Sequence, residues 1–293
     1  MSAEKFIHRQ NEHETILILG GTGKTGRRIA QRLSQQGLSI RIGSRSQKPF
    51  FDWNDKSSWK QALDGISTVY ITYYPDLAVL GAADTIRSFS NLAVQTGAKR
   101  LVLLSGRGEE EAQRSEKAVQ ESGADWTILR SSWFAQNFSE HFLLDYVRSG
   151  TIALPVGDVK EPFIDVEDIA DVEDIADVAV ASLTDPRHVG KVYELSGPRS
   201  LTFAEVAEEI SKASGRNIHY KYIPTEQFIV ELQQQGLPED LISLMVELFT
   251  KVLDGRNSNV TNGVQQALGR EPRDFSDYAR SAAATGVWDE DMK

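Results

Sequence analysis

Thr15-Ile-Leu-Ile-Leu-Gly-Gly-Thr-Gly-Lys-Thr-Gly26 says most about the architecture of this chain. Its first five residues are an apolar run closed by glycines, the pattern of a parallel strand buried on both faces. Lys24 to Gln36 then carries helical spacing, with Ile29, Ala30 and Leu33 on one side, and Gly37 stops it. Strand, glycine turn and helix in that order are the context a dinucleotide-binding turn requires. The turn satisfies two glycine registers, Gly20-Gly23-Gly26 and Gly21-Gly23-Gly26. Such glycines permit a tight turn, close approach of a pyrophosphate to bare backbone, and amides at a helix N-terminus aimed at the anion. Gly20, Thr22, Gly23, Lys24, Thr25 and Gly26 are therefore the first candidate cofactor residues. Gly23-Lys24-Thr25 also resembles the end of a triphosphatase phosphate loop. That loop needs a glycine where this chain has Ile18, so the reading fails.

Beyond that helix, Ser39 to Gly43 reads as a second strand and Pro49 to Phe51 as a weak third. Thr68 to Tyr73 is a fourth, stopped by Pro75. Ala83 to Gln95 is helical, Arg100 to Leu104 a fifth strand, Glu109 to Glu121 helical, and Trp126 to Leu129 a sixth strand. Strands alternating with helices at this spacing predict an α/β, Rossmann-type doubly wound parallel sheet over 15–138. The remainder, 139–293, is expected to form a smaller substrate-side lobe interleaved with the sheet. In it Val192 to Leu195 reads as a late strand. Thr202 to Ser214 reads as a helix with Thr202 as N-cap and Glu205 closing a capping box. Glu226 to Asp254 holds two helical patterns separated by Gly236-Leu-Pro238.

The end of the second strand tells which dinucleotide is expected. NAD enzymes place an acid there for the ribose 2′-hydroxyl. Here the residues are Ser44-Arg45-Ser46, with Lys48 close behind. A carboxylate would repel a 2′-phosphate, whereas an arginine with flanking hydroxyls can bind it bidentately. NADP(H) is thus expected, on Ser44 and Arg45.

The totals limit the alternatives. The net charge of the 293 residues is −10, which argues against nucleic acid or an anionic membrane as main partner. The chain has no cysteine, so disulfides, thiolate metal sites and a cysteine nucleophile are excluded, and redox chemistry must be carried by a bound cofactor. Met1 to Glu14 is polar with no apolar core of a signal peptide, and is expected to be a disordered arm on a cytoplasmic protein. Asp165-Val-Glu-Asp-Ile-Ala170 is followed at once by an identical copy, Asp171 to Ala176. Val166, Ile169, Val172, Ile175 and Val178 then recur every three residues. Each step of three falls about 60° short of a full helical turn, so one straight helix cannot bury all five. Either one copy lies outside the helix or the segment is partly irregular. Its acids lack EF-hand spacing and glycine, and no metal site is expected.

These motifs, in this order, resemble the NmrA-like atypical short-chain dehydrogenase/reductase family, which includes NAD(P)H quinone reductases and ergot-alkaloid agroclavine and festuclavine dehydrogenases. The resemblance runs through Ile16 to Gly26, Phe51-Asp-Trp53, Val69 to Pro75, Leu101 to Ser105, Ser122 to Arg130, Trp133-Phe134, Asn137-Phe138 and Pro162 to Asp171. It continues in Gly236-Leu-Pro238, Val260 to Gly269 and Pro272 to Phe275. The six-residue duplication departs from the family pattern, which has one copy. The resemblance implies that Asp52 lies near the adenine, that Thr72, Tyr73 and Tyr74 line the cofactor, and that Ser105 and Gly106 lie beside its nicotinamide half. It further implies that Trp133, Phe134 and Asn137 wall a substrate pocket, although core packing is the competing explanation for these aromatics.

Ordinary short-chain dehydrogenases protonate substrate with a tyrosine tuned by a lysine four residues later. None of the tyrosines here has lysine at that spacing, which disfavours alcohol–ketone chemistry and sugar epimerisation. Hydride delivery to an acceptor that needs little acid help is left: a quinone, or an iminium carbon that needs no proton. Ser105, Tyr73 or Tyr74 is a candidate hydrogen-bond donor to it; no catalytic residue is assigned. The expectation is an NADPH-dependent reductase of a small aromatic or cyclic acceptor. The alternative is a non-catalytic NADP(H)-binding sensor of the NmrA type.

Overall fold

The strand that begins at Thr15 has four buried residues in a row, Ile16 to Leu19, as its apolar run requires. A computed structural model describes residues 15–140, 142–166 and 174–289. The expected arm, 1–14, and the middle of the duplication, 167–173, lie outside them. Among the described residues the strands are Thr15–Leu19 (β1), Ile40–Gly43 (β2), Ile66–Ile71 (β3), Arg100–Gly106 (β4), Asp125–Ser131 (β5), Thr151–Leu154 (β6), Lys160–Glu161 (β7), Lys191–Leu195 (β8), Leu201–Thr202 (β9) and His219–Tyr222 (β10). The main sheet has the order β2-β1-β3-β4-β5-β8. β1 runs parallel to both β2 and β3, and β3 parallel to β4. The strand order reverses at β1, and the glycine turn leaves the carboxyl end of that strand, the place where open α/β sheets bind ligands.

One predicted strand is absent. Pro49 to Phe51 makes only an isolated bridge, Ser44 to Phe50, so β2 is the edge of the sheet. Pro49 offers no amide to a ladder, and Phe51 is drawn into an aromatic cluster instead. The helix Ser57–Leu63, not foreseen from the sequence, follows and supplies Trp59 to that cluster.

The chain divides into two compact units. The first comprises the described residues up to Ser105, with Glu110–Leu129 and Ala176–Tyr193. Its core includes Leu17, Leu19, Val69 and Leu101 from the strands and the cluster Phe51, Trp53, Trp59 and Phe89. Those rings meet edge to face at 5.1 to 5.9 Å, the arrangement that aligns ring edge with π face. Trp59 is 2% exposed, and its indole N–H donates to the Asp52 carbonyl at 2.9 Å, so the polar edge is satisfied as the ring is buried.

The second unit comprises Gly106–Glu109, the described residues of Arg130–Ile175 and those from Glu194 onward. Here β6 pairs in parallel with β10, and β7 antiparallel with β9. Its core includes Phe138, Phe163, Phe203, Phe275 and Tyr278. Helix Phe203–Ser214 starts on the expected capping box: Glu205 N–H donates to Thr202 Oγ1, and Thr202 N–H donates to the Glu205 carboxylate. Two helices, Thr225–Gln234 and Glu239–Glu247, stand either side of Gly236-Leu-Pro238, and the later one continues as a short π-helix, Leu248–Val252.

Of the five residues recurring at three, Val166, Ile175 and Val178 are fully buried, while Ile169 and Val172 fall outside the described residues. Asp165 and Val166 belong to no helix, and Asp174, Ile175 and Ala176, the described residues of the second copy, lie in the helix Asp174–Thr184. Both flanks are anchored in the second unit. Asp165 accepts from Gln136 and from Arg273 Nη1 at 2.7 Å, and Asp174 accepts from Arg270 Nη1 at 2.6 Å and the Arg273 amide at 2.8 Å. Burial pushes the Asp174 carboxyl up to about 6 despite these donors.

Candidate cofactor cradle and the Trp133 wall

Gly20 sits at φ +63°, a left-handed conformation that costs a side-chain-bearing residue, and it reverses the chain out of β1. The Gly23 amide donates to Gly20 O at 2.8 Å and closes the turn. A β-carbon at Gly26 would collide with Gly20 O and Gly21 Cα, so its absence lets the helix Lys24–Gln35 start directly against the turn. That helix begins on Gly23 with no capping side chain and no acid in its first turn. Its positive end therefore faces outward without an acid from its own first turn, which suits a pyrophosphate. Thr22 and Gly23 are exposed and Lys24 half-buried, whereas the Thr25 side chain points into the core. Thr25 Oγ1 accepts from Tyr70 OH at 3.0 Å. Tyr70, which sequence reasoning passed over, is fully buried, and burial raises its phenol far above the ordinary range. Its place inside β3 offered no signal beyond apolarity.

The turn meets Thr72: a β-carbon on Gly20 would lie 2.5 Å from Thr72 Cγ2. Thr72 O accepts from Trp53 Nε1 at 3.1 Å, which fastens the Asp52-Trp53 loop beside the end of β3. Asp52 Oδ1 accepts the Asn54 amide at 2.9 Å, a local turn that fixes its carboxylate. Tyr73 is half-buried, its ring tilted against Trp53 at 5.0 Å, and Tyr74 is 60% exposed. The Arg45 guanidinium lies 5.1 Å above the centre of the Tyr74 ring, and Ser44 Oγ lies 3.2 Å from Ser46 Oγ in the turn next to it. The first unit thus gathers the glycine turn, Thr72, Tyr73 and the Asp52 loop, with Ser44, Arg45 and Tyr74 forming a second group on the same carboxyl edge. A nicotinamide dinucleotide fits the donors present: bare amides for the pyrophosphate, a guanidinium and hydroxyls for a phosphate, rings for the adenine.

Ser105 differs from its expectation as a donor to substrate. It is 2% exposed and its hydroxyl donates to Glu116 Oε1 at 2.7 Å, so its proton is committed inside the first unit. Gly106 belongs to the second unit, where Glu109 occupies the space a side chain would need.

Trp133, Phe134 and Asn137 are half-buried in the second unit. The Trp133 ring packs edge to face on Phe249 at 4.9 Å, and Phe134 bridges Ile164 through its backbone. Glu161 was not foreseen here. A charge between Lys160 and Pro162 reads as a solvated loop, yet the residue is 2% exposed and accepts the Trp133 amide at 3.2 Å. Burial pushes its carboxyl up to about 7, opposed by that amide, the Arg107 charge and Ser132. Arg107, itself 5% exposed, donates to Ser132 Oγ at 2.9 Å and to the carbonyls of Asn257 and Asn259. Phe138 is fully buried among Phe163, Phe203 and Phe275 and serves packing.

No helix among the described residues is long and apolar enough to cross a membrane. The NmrA-like family model matches residues 112–279, and an NAD(P)H-binding model matches residues 20–186. Agroclavine dehydrogenase from Claviceps fusiformis is 33% identical over 282 residues, covering 90% of this chain and 96% of that one. Among solved structures, a nucleoside-diphosphate-sugar epimerase from Staphylococcus aureus superposes with a TM-score of 0.75 at 19% identity, covering 91% of this chain and 99% of the other. An NADPH-dependent quinone oxidoreductase from Escherichia coli, complexed with NADPH, superposes with a TM-score of 0.71 at 22% identity over the same shares. At these identities the superpositions speak to the fold.

Proposed function

The chain belongs to the NmrA-like family and is an NAD(P)H-dependent oxidoreductase, and on that premise we propose that it reduces a small, flat acceptor of the quinone or cyclic iminium type with NADPH. The observation that carries the cofactor preference is Arg45, aligned over Tyr74 and flanked by Ser44 and Ser46 at the end of β2, where no carboxylate stands. In this reading Arg45 and Ser44 hold the 2′-phosphate, Asp52 and Tyr74 lie by the adenine, and the amides of the glycine turn hold the pyrophosphate. Thr72 and Tyr73 line the cofactor, and Ser105 and Gly106 lie by the nicotinamide. Trp133, Phe134 and Asn137 wall the acceptor.

When bound, the cofactor supplies a hydride and leaves as NADP+. An iminium carbon becomes an amine on receiving that hydride alone, and a quinone takes one further proton to become a hydroquinone. Neither needs the tyrosine–lysine acid that this sequence lacks. The chain's own contribution is then proximity and orientation. The family relatives support the same class: one is named agroclavine dehydrogenase and another, 30% identical, NAD(P)H azoreductase.

The test is NADPH oxidation, followed at the nicotinamide absorbance, against a panel of quinones and cyclic iminium compounds, with NADH alongside. Turnover that favours NADPH is expected. Tight NADPH binding with no turnover on any acceptor would refute the reductase and favour the sensor.

A further inference from the structure

The first unit carries a cavity of about 410 Å³ that none of the cofactor chemistry uses. It lies at the amino ends of the parallel strands: Ile16 in β1, Ser67 in β3, Arg100 opening β4 and Asp125 opening β5 all line it. The glycine turn leaves the other end of β1, roughly 13 Å away at about 3.3 Å per residue. The volume is within the range of small-ligand sites, roughly 300 to 1,000 Å³.

Its chemistry is mixed in a specific way. Ile16, Leu38 and Leu183 provide an apolar surface. Lys99 and Arg100 bring two positive charges and Asp125 one negative charge. Arg100 is half-buried, and Nη1 lies 3.4 and 3.5 Å from the carbonyls of Leu183 and Ser182, at the outer limit of hydrogen bonding. A guanidinium has five donors in a fork that matches an oxyanion, and these two long contacts engage only one nitrogen. Ser67 Oγ is buried with no hydrogen-bond partner among the described residues.

We infer that this amino-edge cavity binds a small organic monocarboxylate with an apolar body. The carboxylate meets Lys99 and Arg100, and the body lies on Ile16, Leu38 and Leu183. The named lining side chains carry a formal charge of one net positive, which matches a single negative charge. A dianion such as inorganic phosphate carries a charge in excess, meets Asp125, and leaves the apolar surface uncovered.

The test uses the full chain saturated with NADPH, so that the glycine turn is occupied, and isothermal titration with 4-phenylbutyrate. One saturable site per chain is expected. 4-Phenylbutan-1-ol, the uncharged analogue, is expected to bind at least tenfold more weakly, and inorganic phosphate not saturably. Lys99 and Thr184 are both exposed and Thr184 lies in the cavity lining. Lys99→Glu is expected to weaken the carboxylate at least tenfold and Thr184→Trp to abolish its binding by filling the space. Both variants should keep the parent's melting curve and NADPH affinity. Absence of saturable binding, equal binding of the alcohol, or 4-phenylbutyrate affinity unchanged in both variants overturns the assignment.

Discussion

Replacing Arg45 by alanine should separate the two nicotinamide cofactors. The guanidinium is exposed and lies 5.1 Å over the Tyr74 ring, within cation–π range. A ribose 2′-phosphate carries about −1.5 to −2 charges near neutrality. At about 4 Å in a water-like medium each unit pair contributes about 1 kcal/mol, hence roughly 2 in all. Hydrogen bonds to charged groups contribute roughly 1.5 to 3 kcal/mol and overlap with that Coulomb energy rather than adding to it. The loss on Arg45→Ala is then roughly 2 to 3 kcal/mol, or about 30- to 150-fold in the dissociation constant of NADPH. NADH has no 2′-phosphate, and its affinity should change by less than about twofold. Arg45→Glu adds repulsion and should invert the preference. Because the site is solvent-facing, raising the salt concentration should shrink the parent's NADPH advantage while leaving the alanine variant nearly unaffected. Titration calorimetry with each cofactor measures all of this. Equal losses for NADPH and NADH, or no loss for either, would refute the assignment of the phosphate to Arg45.

Gly26→Ala drives a methyl group into Gly20 O and Gly21 Cα, which are backbone and yield only if the turn moves. It should weaken NADPH and NADH alike, with a stability loss of roughly 1 to 3 kcal/mol seen in thermal melts without cofactor. Thr202→Ala removes the reciprocal cap of the helix Phe203–Ser214 and should cost about 1 kcal/mol, roughly 2 to 4 °C in Tm, with cofactor affinity unchanged by calorimetry. Glu161, pushed up to about 7 from 4.5, keeps its proton in the folded state through a window where the unfolded chain has lost it. The folded state then binds more protons than the unfolded one, so this group makes stability fall as pH rises from about 4.5 to about 7. Glu161→Gln keeps an oxygen for the Trp133 amide without the buried charge. It should raise stability above pH 7 by roughly 2 to 4 kcal/mol and leave it unchanged below pH 4.5, measured by denaturant unfolding across pH. A variant whose pH profile matches the parent's would show that the buried carboxyl is not what sets it.

Local signals explain which parts were legible in advance. β1, the glycine turn and the following helix were readable because each is determined by residues within a few positions: a run of four buried apolar residues, glycines where backbone must approach backbone, apolar positions at helical spacing. The capping box at Thr202 and Glu205 is local in the same sense, since both hydrogen bonds close within three residues. Pro49 to Phe51 misled because two adjacent aromatics beside a proline look like strand material, and only the presence of Trp53, Trp59 and Phe89 turns Phe51 into a core anchor. The duplication was legible as a repeat, but not which part of it each flank would use: Asp165 pairs with Arg273 across 108 residues and Asp174 with Arg270 across 96.

Read alone, the chain already carried the α/β alternation, the glycine turn after β1, and an arginine where an NAD-specific acid would stand. Packing in three dimensions was needed to show that Ser105 gives its proton to Glu116, that Tyr70 braces Thr25 behind the turn, and that Glu161 is buried against the Trp133 amide. It alone assembled the amino-edge cavity, whose lining comes from Ile16 through Thr184. The physical reason is range. Backbone conformation and helix capping are set by neighbours in the chain, whereas burial, and with it the proton affinity and free hydrogen-bonding capacity of a polar group, is set by whichever distant segments pack over it.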